Sequence, residues 1–409
     1  MEFDFWWLPG AALFFALGWL ASRRESGQSA PPENNVESLP QAYFRGLNFV
    51  LKEDPQKAID AFTELIRQEP DLVELHFALG QLFRRRGETD RAIRVHQNLL
   101  QRTLLSASDR DRARYEIAQD YFKAGLYDRA DAALGQLEDS THAPEAFALR
   151  LDIAQRLKDW SKALGLLAND HADHAEVGSA QQDPSRLALQ AHLHCELALE
   201  HQARSDDRAA LAAFATATSV APNHPRAYLA LGALHARLGQ SPQAIDLGRG
   251  ILARWPAFAC TMAEWWLGCH ARGAAGPFPT GPGEAEPTDA LGLLIEAQQR
   301  APSAELLSLI LRAVEARDGA EAALELAERE ALRAPNASNL LELLERRAQS
   351  ASSADRLEAV RSFLQRLGPA SGRLSCNRCG FQSTRHVWQC PGCSRWDTYS
   401  PIPADATRP

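Results

Sequence analysis

The chain has 409 residues, 45% hydrophobic and 23% charged, the balance of an ordinary folded protein rather than a disordered one. That length suits two or three domains or one extended repeat array. Against 44 Lys and Arg stand 52 Asp and Glu, a net charge of −8. This excludes the broad basic face of a general nucleic-acid binder and leaves room for a local basic patch.

The first element is an uncharged run of 17 residues, Phe5 to Ala21. As a helix it spans about 26 Å, just short of a ~30 Å hydrocarbon core. Trp6, Trp7 and Trp19 sit near its ends, where amphipathic rings anchor at lipid headgroups. Glu2 and Asp4 precede the run and Arg23 and Arg24 follow it, the reverse of a cleaved signal peptide. The pattern predicts a transmembrane anchor over 1–24, with the arginines and the bulk of the chain on the cytoplasmic side. In that reducing compartment the seven cysteines are expected as free thiols or metal ligands rather than disulfides. Residues 25–39, rich in Ser, Pro, Asn and Gln, predict a flexible tether.

From 40 to 267 the chain repeats itself every 34 residues, the tetratricopeptide period. At that offset Gly46 pairs with Gly80, Phe49 with Phe83, Ala58 with Ala92 and Phe62 with His96. Ala198, Ala210 and Pro222 likewise find Gly232, Ala244 and Pro256. Each unit predicts two antiparallel helices. Their close crossing needs a small residue on the first helix (Gly46, Gly80, Ala118, Gly232) and another on the second (Ala58, Ala92, Ala130, Ala163, Ala210, Ala244). Pro70, Pro222 and Pro256 stop second helices. Weaker copies follow at Tyr115–Leu137 and Phe147–Leu167, and further second helices at Asp289–Pro302 and Ala322–Pro335. One unit cannot bury its own apolar face, so the units stack. The expectation is an all-α tetratricopeptide-repeat superhelix of six good units and about two degenerate ones. Residues 169–184 read as a polar interruption, 268–289 as a Gly/Pro-rich loop, and 290–368 as degenerate helical repeats.

The first helices of the second and third units carry Gln81, Arg84, Arg85, Arg112, Gln119 and Lys123. First helices line the inner face of such superhelices, so these residues form a candidate strip for an acidic peptide or carboxylate. A solvated charged face is the competing reading. Cys195, Cys260 and Cys269 stand singly in helical stretches and read as small buried hydrophobes. His171 and His174 with Asp170 and Asp173 read as a solvated loop, and His192 and His194 point to different faces of a helix. Trp265 and Trp266 read as a buried interface between repeats. No Walker A loop, HExxH, GxSxG or GxGxxG occurs, and no catalytic residue is assigned.

The tail carries CNRCGF and WQCPGC, a Cys-x2-Cys-x10-Cys-x2-Cys pattern made by Cys376, Cys379, Cys390 and Cys393. Two such pairs place four thiolates at the corners of a tetrahedron. Gly380 and Gly392 suit tight turns, and Phe381, Trp388 and Trp396 are candidates to cover the site. Residues 374–399 are too few for a self-sufficient core, so metal binding supplies the folding energy. The donor set suits zinc and iron alike. The two knuckles resemble those of rubredoxin, whose single iron sits in four cysteines. The gap between them is shorter here, and the electron-transfer role does not carry over.

Taken in order, an N-terminal anchor, repeats opening with YFRGLNFVL and LGQLFRRRGETDRAIRVHQNLL, and a terminal CNRCGF…WQCPGC resemble the lipopolysaccharide assembly protein B family of Gram-negative bacteria over the full length. The resemblance implies a single-pass protein of the cell inner membrane, its N-terminus periplasmic and its bulk cytoplasmic. It implies a non-enzymatic regulator of lipopolysaccharide synthesis that promotes degradation of the deacetylase LpxC by the membrane protease FtsH. A lipopolysaccharide-sensing inner-membrane protein is the third implied partner, no nucleic acid is expected, and a homodimer is compatible with the pattern. In the metal module the resemblance places one iron ion ahead of zinc, on the matching Cys376, Cys379, Cys390 and Cys393. A general scaffold for membrane lipopolysaccharide enzymes, or a rubredoxin-like redox carrier or sensor, are the alternatives.

Overall fold

A computed structural model describes Phe49 and residues 55–174, 184–274, 290–334, 337–350 and 374–399. The expected anchor over 1–24, the tether and most of the YFRGLNFVL segment lie outside the described residues. Among the described residues, no helix is long and apolar enough to cross a membrane. The chain divides into two compact units, one ending at Ile153 and one beginning at Ala154.

The first unit is built of antiparallel helices: α1 (Pro55–Gln68), α2 (Val73–Arg85), α3 (Thr89–Leu100), α4 (Ala107–Lys123), α5 (Tyr127–Leu134) and most of α6 (Ala143–Arg156). Ser106 caps α4 by accepting the Asp109 N–H at 3.0 Å, which satisfies one of the open donors of the first turn. Phe62, Leu65, Leu75, Leu79, Leu82 and Phe83 fill the space between α1, α2 and α3. Burying each such side chain is worth roughly 1.5–3 kcal/mol. Ala58, Ala92, Ala118 and Ala130 are wholly buried where helices cross. At Gly80 the approach is closer still: an added Cβ would lie 2.3 Å from His96 Nε2.

The second unit continues with α7 (Trp160–His174), α8 (Pro184–Ala203), α9 (Asp207–Val220), α10 (Pro225–Arg237), α11 (Ser241–Arg254), a single 3-10 turn (Pro256–Phe258) and α12 (Ala259–Ala274). Beyond the long connection come α13 (Ala290–Arg300), α14 (Ala304–Asp318), α15 (Ala320–Arg333) and α16 (Ala337–Ser350). The residues read as a polar interruption are in part helical, since α7 runs on to His174 and α8 starts at Pro184. Trp266 is fully buried, as its apolar surface demands, in a notch that Gly248 opens for it. Its indole N–H donates to the Ile245 carbonyl at 3.1 Å.

One turn recurs between first and second helices. The N–H groups of Glu88, Leu126, Asp159, Asp206 and Gln240 each donate, at 2.9 Å, to the carbonyl five residues earlier. The residue preceding each donor takes a positive φ: Gly87, Gly125, Lys158, Ser205 and Gly239. This is the six-to-one bond that closes a helix end on a left-handed residue. Glycine meets that requirement freely, and Lys158 and Ser205 meet it with strain.

The tail forms a small two-stranded antiparallel hairpin, β1 (Leu374–Ser375) with β2 (Gln382–Ser383), in register Leu374 to Ser383. A second hairpin closes at the bridge between Gln389 and Trp396.

Candidate metal centre and its seat on the repeats

Two turns of one kind build the centre. In the first, Gly380 donates its N–H to the Cys376 carbonyl at 2.9 Å and takes φ +74°. In the second, Ser394 donates to the Cys390 carbonyl at 2.8 Å and takes φ +56°. The left-handed position of the second turn falls on Ser394, while the Gly392 N–H favours the Cys390 thiolate, as a glycine turn at the sulfurs would. Gly392 meets a different need, since a Cβ there would lie 3.3 Å from Cys379 Sγ.

Cys376 Sγ lies 3.8 Å from Cys393 Sγ, and Cys379 Sγ 3.6 Å from Cys390 Sγ. All four sulfurs fall within 4.8 Å of one another. A tetrahedral site with ~2.3 Å metal–sulfur bonds has edges of about 3.8 Å, so the four thiols fit a tetrathiolate metal ion. The Arg378 N–H reaches Cys376 Sγ at 3.4 Å, a contact that favours the thiolate. Desolvation opposes ionisation of Cys376, but hydrogen bonds outweigh it and bring this thiol down to about 6. At Cys379 the Phe381 N–H favours the thiolate, yet desolvation and the three other thiols push it up to about 12. Four such thiols ionise together only around a cation, which would neutralise the repulsion between them.

The tryptophans expected to cover the metal turn instead to the repeats. Trp388 stacks on Phe258 of the 3-10 turn, with ring centres 5.3 Å apart and planes within 17°. Trp396 stacks on His192 of α8 at 4.4 Å and 22°. Its indole N–H donates to Gln155 Oε1, in the last turn of α6, at 2.8 Å. Between them Asp397, held at φ +52°, directs its carboxylate to His192 Nε2 at 2.7 Å, with His224 Nε2 3.6 Å away. Arg226 of α10 lies behind, donating to His192 Nδ1 at 3.1 Å and to Glu196 Oε1 at 2.5 Å.

An arginine only donates, so His192 Nδ1 accepts and its proton sits on Nε2, where it is given to Asp397. That assignment leaves His192 Nε2 without the lone pair a cation would need. The trio His192, His224 and Asp397 is accordingly a hydrogen-bonded relay and not a second metal site, although its three ligand atoms lie close together. Burial, reinforced by the nearby His224 and Arg226, holds His192 down to about 4 despite its carboxylate partner. Desolvation would raise the Asp397 carboxyl, but hydrogen bonds from His192 and His224 hold it well below the usual range.

None of Gln155, His192, His224, Arg226 or Asp397 was singled out as a site by motif. The signal available was the repeat itself: His192 and Arg226 occupy the same position in successive units, 34 residues apart, and both are buried.

In the first unit the structure divides the candidate strip. Gln81 donates to Glu116 Oε1 at 2.7 Å. Arg84 is drawn inward, 2.6 Å from Glu116 and 2.7 Å from Asp120. Asp120 also meets His96 Nδ1 at 2.5 Å. Arg112 pairs with Glu74 at 2.8 Å and lies 4.1 Å from the centre of the Phe77 ring. Gln119 is half-buried, and Arg85 and Lys123 are exposed. A continuous basic strip is thus interrupted by the carboxylates of α4.

Comparisons with known proteins agree with both parts. A model described as "Rubredoxin metal binding domain" matches residues 375–401, and one described as "Tetratricopeptide repeat" matches 45–113 and 195–257. A solved tetratricopeptide repeat protein from Parabacteroides merdae is 14% identical, covering 80% of this chain and 98% of its own, with a TM-score of 0.32. Lipopolysaccharide assembly protein B of Haemophilus influenzae is 26% identical over 98% of each chain. Its counterpart in Escherichia coli K12 is 30% identical, again over 98% of both. At 30% identity over nearly the whole of both chains, the chain belongs to the lipopolysaccharide assembly protein B family.

Proposed function

We propose that this protein is a non-enzymatic adaptor in lipopolysaccharide assembly, tethered to the inner membrane by residues 1–24 with its bulk in the cytoplasm. The observation that carries the reading is the metal module. Four thiols fill every position of a tetrahedral site, whereas catalytic metal sites keep one open. The module's aromatic and acidic side chains are spent on the repeats rather than on a substrate cleft. Tetratricopeptide repeats are protein-binding scaffolds, and the name the relatives share supplies the process.

In the finer form of this reading, the repeats bring the deacetylase LpxC to the membrane protease FtsH, and a lipopolysaccharide-sensing membrane protein sets how often. Iron occupies the thiolate site as a structural ion, with zinc able to replace it. Arg85 and Lys123, the exposed ends of the strip, contact an acidic partner surface. The anchor acts by raising effective concentration near membrane-embedded partners.

The test is deacetylase half-life in cells with the full chain, without it, and with a version starting near Asn35. The adaptor reading expects a long half-life in the second and third strains. An unchanged half-life would favour a general assembly scaffold instead.

A further inference from the structure

The place where Trp396 and Asp397 sit has the make-up of a ligand site. Its floor is His192, wholly buried and presenting a flat ring face to the indole. His224 and Arg226, both nearly buried, supply a donor and a fixed positive charge. Gln155 accepts the indole N–H at the rim. The repeats contribute every one of these groups, and the module contributes only the occupant.

The occupant is held in place by the metal. Asp397 stands four residues beyond Cys393, in a left-handed conformation that a non-glycine residue keeps only when its surroundings impose it. Ser394, in the same chain turn, is left-handed too. The module has little core apart from its thiols: Leu374, Cys376, Cys390 and Tyr399 are its buried cluster. Without the ion that cluster has no source of folding energy, and the turns that aim Trp396 and Asp397 relax.

We propose that this seat is a recognition site for a partner segment bearing a carboxylate beside an aromatic side chain, and that the metal module occupies it in cis and holds it closed. Complementarity fixes the class of partner: two imidazoles face the occupant's carboxylate, and the Arg226 guanidinium lies against the face of the stacked indole beside it. While the module is folded, its tether to the repeats gives it an effective concentration that a separate peptide does not match. Loss of the metal leaves the tether but removes the turns that present Trp396 and Asp397, and so opens the seat. The inference goes beyond the adaptor reading and does not depend on the identity of protease or substrate.

The experiment uses the full chain, metal-loaded and after metal extraction under reducing conditions, with a fluorescent peptide copying residues 395–399 as the probe. Hydrogen exchange over 374–399 reports whether the module has left the repeats. Metal-free protein is expected to lose protection there and to bind the peptide at least tenfold more tightly than the loaded form. The same peptide with Asn in place of the aspartate should lose at least tenfold. His192→Gln should abolish binding to metal-free protein, with helicity checked by circular dichroism. Should that variant fail to fold, His224→Gln serves the same purpose. Retained protection after metal removal would overturn the gating. Release without peptide binding, or binding indifferent to the carboxylate, would overturn the recognition site.

Discussion

Arg84 separates a binding role from a structural one, and replacing it with Ala is the sharpest perturbation of the first unit. Its guanidinium makes bonds of 2.6 Å to Glu116, 2.7 Å to Asp120 and 3.1 Å to the Glu116 carbonyl. The side chain is 12% exposed, that of Glu116 9% and that of Asp120 0%, so water cannot replace the lost cation. Each charge-assisted bond is worth roughly 1.5–3 kcal/mol. Gln81 and His96 still hold one oxygen of each carboxylate, which softens the loss. The net expectation is about 3–5 kcal/mol, the usual effect of removing one partner from a buried ion pair. Urea unfolding of the full chain, with hydrogen exchange resolving α2 to α4, measures it. A groove residue waiting for a partner would behave in the opposite way, leaving stability within about 0.5 kcal/mol as exposed substitutions do. That outcome would refute the structural assignment, and Arg85→Glu supplies the control.

Gly80→Ala should destabilise the first unit by about 1–3 kcal/mol, because its Cβ would lie 2.3 Å from a His96 ring that Asp120 holds in place. Gly87→Ala, where φ is +79° and no atom lies within 4 Å, tests backbone strain alone and should lose about 1 kcal/mol in the same urea titration. Cys376→Ser with Cys379→Ser should unfold residues 374–399 while far-ultraviolet helicity persists, since the repeats have their own cores; collapse of the helices would contradict this. Docking of the module should weaken on acidification. Burial holds His192 near 4 when docked, and uncovering its ring on release relieves part of that burial, so the released state takes up the proton first and docking weakens as pH falls toward that value. Asp397, held below the usual carboxylate range when docked, adds to the loss only as pH falls below ~3.9. Exchange protection of 374–399 that stays flat from pH 7 to 5, with metal content constant, would show that the relay is not what holds the module.

The repeats and the ligand set were legible because both are written locally. A 34-residue period places small residues at crossings by simple counting, and Ala58, Ala92, Ala118, Ala130, Ala163, Ala210 and Ala244 are all wholly buried. Two paired cysteine knuckles limit the chemistry almost by themselves. The direction of Trp388 and Trp396 was not legible, because proximity to cysteines in sequence suggests a lid and says nothing about which side of a hairpin meets another element. The His192–Asp397 contact joins positions 205 residues apart, beyond the reach of any periodicity. Lys158 and Ser205 hid two of the recurring turns, since neither residue type advertises a positive φ. The internal pairing of the strip residues was hidden for a related reason. Its basic residues were visible along α2 and α4, but the carboxylates that claim Arg84 and Arg112 sit on the opposite one of those two helices, Glu116 and Asp120 on α4 and Glu74 on α2.

The turn-by-turn bonds within the helical hairpins close over a few residues, whereas two of the contacts that seat the module span 205 and 241 positions. During synthesis the hairpins fold as they leave the ribosome, and His192 stays uncovered until Asp397 has been added. At ~5–20 residues per second that interval is about 10–40 s. For that time the nascent protein presents an open notch with His192 at its floor, and folding of the four-cysteine segment closes it. Completion of the chain and acquisition of its ion thus become a single event, and a molecule lacking either is distinguishable from a finished one at the same surface.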